Sequence, residues 1–460
     1  MTNWDGMRVT VIGAARQGQA AARFLLKQGA LVTINDQRPA EQLKPARQAL
    51  EGLPIDWEMG GHPISLLDRT DLLCLSGGIP LSLPLIQEAG RRGIPLTNDT
   101  QVFLEVVPCK TIGITGSSGK TTTTSLAGTI AQRTFTAQGR NAWVGGNIGD
   151  PLLNYVEQMK KDDMAILEIS SFQLDQMTSS TDIAAVLNIT PNHLDRHKNM
   201  AAYIAAKSRL VENQGRDSVT VLGRDDAGAW NLKDKVHGRL YSFGFSPVTD
   251  GTGMTYLEGN YQFSSPEGSE NWFDQSSVHL RGEHNQLNVM AACLVSWAAG
   301  ISVPEIVSGV GTFQGVPHRL EFIRNWGGAA WYNDSIATAP ERTMAAIRSF
   351  SEPIVLLLGG RDKDLPWDSL VDLVQDRVRQ VVLFGESAEK INQAFSQIPT
   401  VQRHFSIYRC AGLKDAVLCA AGLVQPGEVV LLSPGGTSFD EFKDFEERGE
   451  RFQQWVLGLS

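Results

Sequence analysis

Residues 111–126 read TIGITGSSGKTTTTSL, and the fold turns on how they are read. The β-branched run Thr111 to Thr115 predicts a short strand, Gly116 to Gly119 a turn, and the residues from about Lys120 onward a helix. A strand, a glycine-rich turn and a helix in that order make a phosphate cradle. Gly116 and Gly119 let backbone N–H groups converge, the helix N-terminus adds positive potential, and Lys120 can reach terminal phosphates. Thr121 can set its hydroxyl on a magnesium ion, with Ser117, Ser118 and Thr122 completing the loop. A strict Walker A pattern would have glycine at 114, where this chain has Ile114. The bland alternative is a glycine-rich turn with no ligand.

Outward from this loop the alternation continues. MAILEIS (164–170), IAAVLNIT (183–190) and SVTVLG (218–223) predict buried parallel strands, and 283–300, EHNQLNVMAACLVSWAAG, predicts a helix ending at Gly300. Residues 241–277, rich in Gly, Ser and aromatics, predict small β-hairpins or a surface loop. Upstream, RVTVIGAARQGQ (8–19) and a second strand, Leu31 to Asn35, ending at Asp36, form a βαβ unit close to the dinucleotide fingerprint. Its middle glycine is Ala15, leaving Gly13 and Gly18, so the reading without NAD is preferred to a redox site. LLCLSGG (72–78) brings Ser76, Gly77 and Gly78 to the same sheet edge. Downstream, AAWYND (329–334), IVLLLGG (354–360), QVVLFGE (380–386) and EVVLLSPGG (428–436) predict a second Rossmann-like unit. The expected class is α/β with three domains: Rossmann-like over 1–107, a central P-loop parallel-sheet domain over 108–314, and Rossmann-like over 315–460.

Composition fits this reading. The 460 residues are 42% hydrophobic and 20% charged, with a net charge of -9, which argues against a general nucleic-acid or membrane-surface role. The five cysteines form no CxxC pair and read as reduced thiols. The N-terminus runs straight into a strand, and no apolar run reaches the roughly 18 residues of a membrane span. The expectation is a cytoplasmic protein.

Three residues near the cradle are candidates for metal chemistry. Glu168 ends an apolar strand and could ligate magnesium, cap a helix or line a solvated rim. His193 lies in a loop after a strand, where a hydrogen-bonded surface histidine is the plain alternative. Lys207 falls in a helix, where a solvated face is the default.

Taken together, TGSSGKTT (115–122), NAWVGGNIGDP (141–151), LEISSFQLD (167–175), NITPNHLDRH (188–197) and YIAAKSRL (203–210) resemble the Mur ligase family. GEHNQLNVMAA (282–292), VPHRLE (316–321), YNDSIATAPE (332–341) and the tail LLSPGGTSFDEFKDFEERGERF (431–452) extend the resemblance over nearly the whole chain. It implies an ATP-dependent amide ligase of peptidoglycan precursor synthesis, working through an acyl phosphate, with UDP-N-acetylmuramoyl-L-alanine and D-glutamate as substrates. A related ligase with another amino acid, such as L-glutamate, or another acceptor is the alternative. The resemblance further implies that Lys120 holds phosphates, that Thr121 and Glu168 ligate one magnesium ion and His193 a second, and that Lys207 is carbamylated into a metal ligand. It places Asn285 and Asn288 at the adenine, Arg319 at the ATP phosphates and Asp334 at the ribose. Arg16, Gln17, Asp36, Arg38, Ser76 and Gly78 would cradle the uridine diphosphate, with Asn147 at the nucleotide sugar or the phosphates. Thr338, Lys363, Ser438 and Phe445 would receive glutamate. A monomer is expected. One departure stands out: the family often reads NDSKAT where this chain reads NDSIAT, so Ile336 takes a lysine's place and Arg361 or Lys363 must supply the charge, or recognition of the amino acid differs.

Overall fold

Three sheets order the chain, and the strand polarity of each fixes where its polar loops gather. The computed structural model describes residues 2–191, 194–249 and 251–460, so the expected metal ligand His193 lies outside the described residues. The chain forms two compact units, Met1–Val278 with Leu287–Phe313, and His279–Gln286 with Gln314–Ser460. The architecture is α/β with three parallel-dominated sheets, two in the first unit and one in the second.

The first sheet holds β1 (Arg8–Ile12), β2 (Leu31–Asp36), β3 (Asp56–Met59), β4 (Leu72–Leu75) and β5 (Leu96–Asn98), all parallel in the order β3-β2-β1-β4-β5. The order reverses between β1 and β4, so the crevice at their carboxyl ends is the ligand-binding position of an open α/β sheet. The two surviving glycines are explained by space. Gly13 has φ +96°, and a Cβ on Gly18 would sit 1.9 Å from the Gly13 carbonyl oxygen. Ala15, by contrast, has φ −78° at the N-cap of the helix Arg16–Lys27, a conformation that needs no glycine.

The second sheet holds β6 (Lys110–Thr115), β7 (Ala142–Gly146), β8 (Met164–Glu168), β9 (Ile183–Val186), β10 (Val219–Gly223), β11 (Arg239–Gly244), β12 (Thr252–Leu257), β13 (Asn260–Ser265) and β14 (Gly268–Asp274). Its order is β14-β13-β12-β11-β10-β9-β6-β8-β7. The stretch expected as hairpins or a surface loop is a β12–β13–β14 antiparallel meander, and it extends the sheet rather than lying loose on it. Stacked aromatics hold it: Tyr261 on Phe273 at 4.6 Å and Phe263 on Trp272 at 4.8 Å. One expected strand is shorter than its apolar run. β9 stops at Val186, because Leu187 to Thr190 turn aside to brace the phosphate loop, with Ser117 N–H donating to the Asn188 carbonyl at 2.9 Å.

The two sheets of this unit share one apolar core, running from Trp4 and Phe24 through Leu152 and Val156 to Leu167 and Leu174. Polar stitches join them as well. The motif SSFQ is a capping box, with Ser170 as N-cap and Gln173 reaching back to it, and Gln173 also donates to Thr100 Oγ1 at 2.7 Å. Asn98 Nδ2 returns a bond to the Gln173 carbonyl at 2.8 Å. The family-like stretch EISSFQLD therefore anchors the strand end that carries Glu168.

The second unit's sheet holds β15 (Glu321–Trp326), β16 (Ala329–Asn333), β17 (Ile354–Gly359), β18 (Val378–Phe384), β19 (Ser406–Arg409) and β20 (Val429–Gly435), in the order β15-β16-β20-β17-β18-β19. Only β15 is antiparallel, and it and the short, half-buried edge strand β19 were not legible as strands. The central strands are wholly buried, and each fully buried Leu or Ile contributes ~1.5–3 kcal/mol relative to exposure. Because β16, β20 and β17 are neighbours, the loops after them meet at one edge.

The tight contact at Gly18 generates a direct test. Gly18→Ala must push the helix Arg16–Lys27 off the β1 turn, at a cost of about 1–3 kcal/mol. It is read as a lower urea midpoint at unchanged slope; an unshifted midpoint would contradict the packing described.

Candidate active site

The central cradle is built on the end of β6. Gly119, with φ +82°, is the N-cap of the helix Lys120–Ala137, and no side chain caps that helix. Its first-turn N–H groups are thus left to face an anion, with no acidic residue in the turn to compete. A Cβ at Gly119 would lie 2.2 Å from Asn288 Oδ1, so only glycine fits the loop here. The segment after β9 fixes the rest: Ser118 N–H donates to Asn188 Oδ1 at 2.9 Å and Ser117 Oγ donates to the Thr190 carbonyl at 2.9 Å. Thr122 is buried in the helix behind the loop.

Glu168 ends β8, registered between Ile114 of β6 and Gly146 of β7. It is only 2% exposed, yet it accepts just two side-chain bonds, from Thr121 Oγ1 at 2.7 Å and Asn147 Nδ2 at 2.9 Å. A buried carboxylate touching the P-loop threonine is the donor set a phosphate-bound magnesium takes. Thr121, Glu168 and Asn147, expected from separate motifs, are therefore together.

Lys207, expected on a solvated face by default, is 1% exposed. The helix Met200–Glu212 drives it inward, where its Nζ donates to the Gly116 carbonyl at 2.9 Å and Thr115 Oγ1 at 3.2 Å, above the Tyr203 ring. Lys120 Nζ donates to that same Gly116 carbonyl at 2.9 Å. Burial, and then the charge of Lys120, push the Lys207 amine well below the usual lysine range, while Glu168 pulls the other way. The result is a buried amine behind the loop whose proton is held less tightly than an ordinary lysine's.

Asn288 is buried against the loop and accepts from Thr123 Oγ1 at 3.3 Å. Asn285 belongs to the second unit, its Nδ2 bonded to the Arg281 carbonyl at 2.8 Å. Tyr203 and Asn188, which brace the loop, were missed as functional positions; an aromatic in an Ala-rich helix carries no signal of its partner. His197 was missed too, and it lies buried between Phe172 and Tyr203 with Nε2 2.9 Å from Ser171 Oγ.

At the first sheet's crevice, Asp36 accepts from Ala14 N–H at 2.8 Å and pairs with Arg38 through both oxygens, at 3.0 and 2.8 Å. Burial opposes ionisation of Asp36, but the Arg38 and Ala14 bonds overcome it and hold its pKa at about 2. With both oxygens engaged, Asp36 is not offered to a dinucleotide ribose; it orients Arg38, whose side chain is half exposed. Ser76 Oγ donates to the Gly13 carbonyl at 2.9 Å, and Gln17 Oε1 accepts from Gly77 N–H at 3.0 Å. The Gly78 carbonyl accepts from Arg196 at 2.6 Å, and Arg16 is exposed at the start of its helix.

In the second unit, Arg319 stands between two non-glycine residues in the left-handed region, His318 at φ 63° and Leu320 at φ 45°, a strain of the kind found at functional sites. Asp334 is 5% exposed and accepts from Leu320 N–H at 3.2 Å and Ser433 Oγ at 2.8 Å. Thr338, Lys363 and Ser438 follow β16, β17 and β20, and Lys363 Nζ donates to Thr338 Oγ1 at 3.4 Å. The Phe445 carbonyl accepts from Ser335 Oγ at 2.8 Å. Arg448, also missed, is 0% exposed and ties two of these loops together by bonding Ser335 and the Gly436 carbonyl. Of the cations expected to replace the lysine at 336, Arg361 is already engaged, bonding both oxygens of Glu386 at 2.8 and 3.0 Å.

Among the described residues no helix is long and apolar enough to cross a membrane, and none of the five cysteines is disulfide-bonded. No cluster of three or more His, Cys, Asp or Glu able to hold a metal is found among them either.

Residues 7–98 match the Mur ligase MurD-like N-terminal domain, 114–296 the Mur ligase middle domain and 318–436 the Mur ligase glutamate ligase domain. A protein of Acidobacterium capsulatum named UDP-N-acetylmuramoylalanine–D-glutamate ligase is 39% identical over 457 residues, covering 98% of this chain and 96% of its own. One of the same name from Syntrophus aciditrophicus is 38% identical over 464 residues, covering 99% of each. In fold, the chain is similar to the UDP-N-acetylmuramate–alanine ligase MurC of Thermotoga maritima, with a TM-score of 0.58 at 16% identity over 98% of this chain and 99% of that one. MurF of Acinetobacter baumannii gives 0.57 at 19% identity, over 98% and 91%. The chain belongs to the Mur ligase family, whose members use ATP and magnesium.

The buried Asp334 carries a pH signature. Burial raises its pKa to about 7, against the Ser433 and Leu320 bonds and the charges of Arg319 and Arg342. An aspartate in the unfolded chain titrates near ~3.9. Folding therefore takes up a proton between those values, so this contribution to stability is whole below about pH 4 and is lost as pH rises through about 7. Asp334→Asn removes the dependence. Its urea midpoint should gain on that of the parent protein from about pH 4 to about pH 7 and then run parallel.

Proposed function

We propose that this member of the Mur ligase family joins D-glutamate to UDP-N-acetylmuramoyl-L-alanine in peptidoglycan precursor synthesis, consuming ATP. The observation that carries the reading is the cluster at the end of β6 and β8, where Lys120, Thr121, Glu168 and Lys207 converge on one phosphate loop. The names of the full-length relatives support the choice of substrates.

The chemistry follows from what these residues can do. A carboxylate will not condense with an amine in water, because an oxide is too poor a leaving group. Transfer of the γ-phosphoryl group of ATP to an oxygen of the alanyl carboxylate releases ADP and gives an acyl phosphate. The glutamate amine then attacks the carbonyl carbon, the C–O bond to phosphate breaks, and the amine's proton is lost as the amide forms. Loop N–H groups and Lys120 bind the phosphates and hold them in line. Thr121 and Glu168 would hold a magnesium ion, which when bound offsets the repulsion between phosphate and carboxylate. His193 and a carbamylated Lys207 would complete a two-ion site.

Lys207 is suited to carbamylation. A buried amine whose proton is weakly held can lose it and add to carbon dioxide, forming a C–N bond and releasing a second proton, and so exchange a cation for an anion beside Glu168. Arg16, Gln17, Asp36, Arg38, Ser76 and Gly78 would take the uridine diphosphate, with Asn147 at the nucleotide sugar or the phosphates. Asn285 and Asn288 would take the adenine, Asp334 the ribose and Arg319 the ATP phosphates; Thr338, Lys363, Ser438 and Phe445 would take glutamate. The replacement of lysine by Ile336 is the one observation favouring another amino acid, so both enantiomers of glutamate belong in the test.

Phosphate release should require ATP, UDP-N-acetylmuramoyl-L-alanine and D-glutamate together, with L-glutamate ineffective. Equal release without either acceptor would sink the reading. Lys120→Ala should lower kcat by ~100-fold or more. Protein equilibrated with 13C-bicarbonate should show a carbamate resonance that Lys207→Arg abolishes.

A further inference from the structure

We infer that Arg342 is a specificity-determining residue that pairs with Lys363 to bind the two carboxylates of the incoming amino acid, in compensation for Ile336. The inference rests on the reading that this unit receives glutamate. Arg342 Nη1 donates to the Ile336 carbonyl at 3.2 Å, and Lys363 Nζ to Thr338 Oγ1 at 3.4 Å, so the 336–338 turn carries a cation at each end. The two cations feel one another: after burial, the charge of Arg342 is what lowers the Lys363 amine. Neither stands in an ion pair with a carboxylate among the described residues, and three acids of this unit are engaged elsewhere. Glu386 holds Arg361, Asp362 holds Lys390, and both oxygens of Asp334 are bonded to Leu320 and Ser433.

Two like charges that feel one another, neither ion-paired to a carboxylate among the described residues, make an unfavourable arrangement that a dianion would relieve. Arg361, the other candidate for the missing charge, is occupied by a two-pronged bond to Glu386. Arg342 is exposed and its guanidinium can meet a carboxylate through two parallel N–H donors, which a lysine at 336 could not do. A positive surround also favours the free amine over the ammonium, the form that must attack. The turn that lost one cation thus gains another from the first turn of the helix Pro340–Arg348.

The test compares the parent protein, Arg342→Ala and Arg342→Ala with Ile336→Lys, using D-glutamate and D-glutamine, which lacks the second carboxylate. In Arg342→Ala, KM for D-glutamate should rise ~10-fold or more, with kcat and KM for ATP close to those of the parent. The preference for D-glutamate over D-glutamine should shrink by a similar factor, and Ile336→Lys should restore part of it. A parent protein that prefers D-glutamate, with Arg342→Ala keeping that preference, overturns the inference alone. So does a rise in all KM values together with unchanged preference, the mark of a merely structural turn. A parent protein that ligates neither amino acid sinks the proposed function and this inference with it.

Discussion

Two lysine amines share one carbonyl oxygen. Lys120 and Lys207 both reach the Gly116 carbonyl at 2.9 Å, one from the loop's own helix and one from a helix far along the chain. Two ammonium groups held so close in a buried place repel, and burial followed by the charge of Lys120 lowers the pKa of the more buried Lys207 amine well below the usual lysine range. The proton is held less tightly on Lys207 than on an ordinary lysine, and Glu168 acts in the opposite direction. Thr115 and Tyr203 hold the amine there rather than letting it escape to solvent.

The same rule of sheet polarity operates three times. In each sheet the polar loops leave the carboxyl ends of neighbouring parallel strands, so residues distant in sequence meet at one edge. β1 and β4 bring Gln17 to Gly77; β6 and β8 bring Thr121 to Glu168; β16 and β17, on either side of β20, bring Thr338 to Lys363. Each edge is then stiffened by a buried polar group. Asp36 does so through Ala14, the Ser170–Gln173 cap does so for Glu168, and Arg448 does so by stitching Ser335 to Gly436. Such buried groups are costly unless satisfied, and these are satisfied by backbone as much as by side chains.

Much of this was legible beforehand because it rests on local pattern. The strand–turn–helix of 111–126, the central strands of each sheet and the glycine-driven turns depend on neighbours in sequence, and they stand where expected. Edge strands were not legible: β15 and β19 are half exposed and lack a continuous apolar run. The end of β9 was misplaced because Leu187 and Ile189 are apolar and buried although they have left the sheet. Arg448 was invisible for a related reason, since an arginine in a charged helix reads as solvated until its helix is docked.

The sequence by itself determined the class of fold, the phosphate loop and, through resemblance, the family, because these follow from residue spacing along one segment. Only the tertiary structure decided which charges survive. It buried Lys207 and lowered the pKa of its amine, tied Asp36 to Arg38, spent Arg361 on Glu386, and set Arg342 and Lys363 at the two ends of the 336–338 turn. A side chain's charge and availability depend on what is packed around it, and that is set by strands and helices that the chain brings together from far apart.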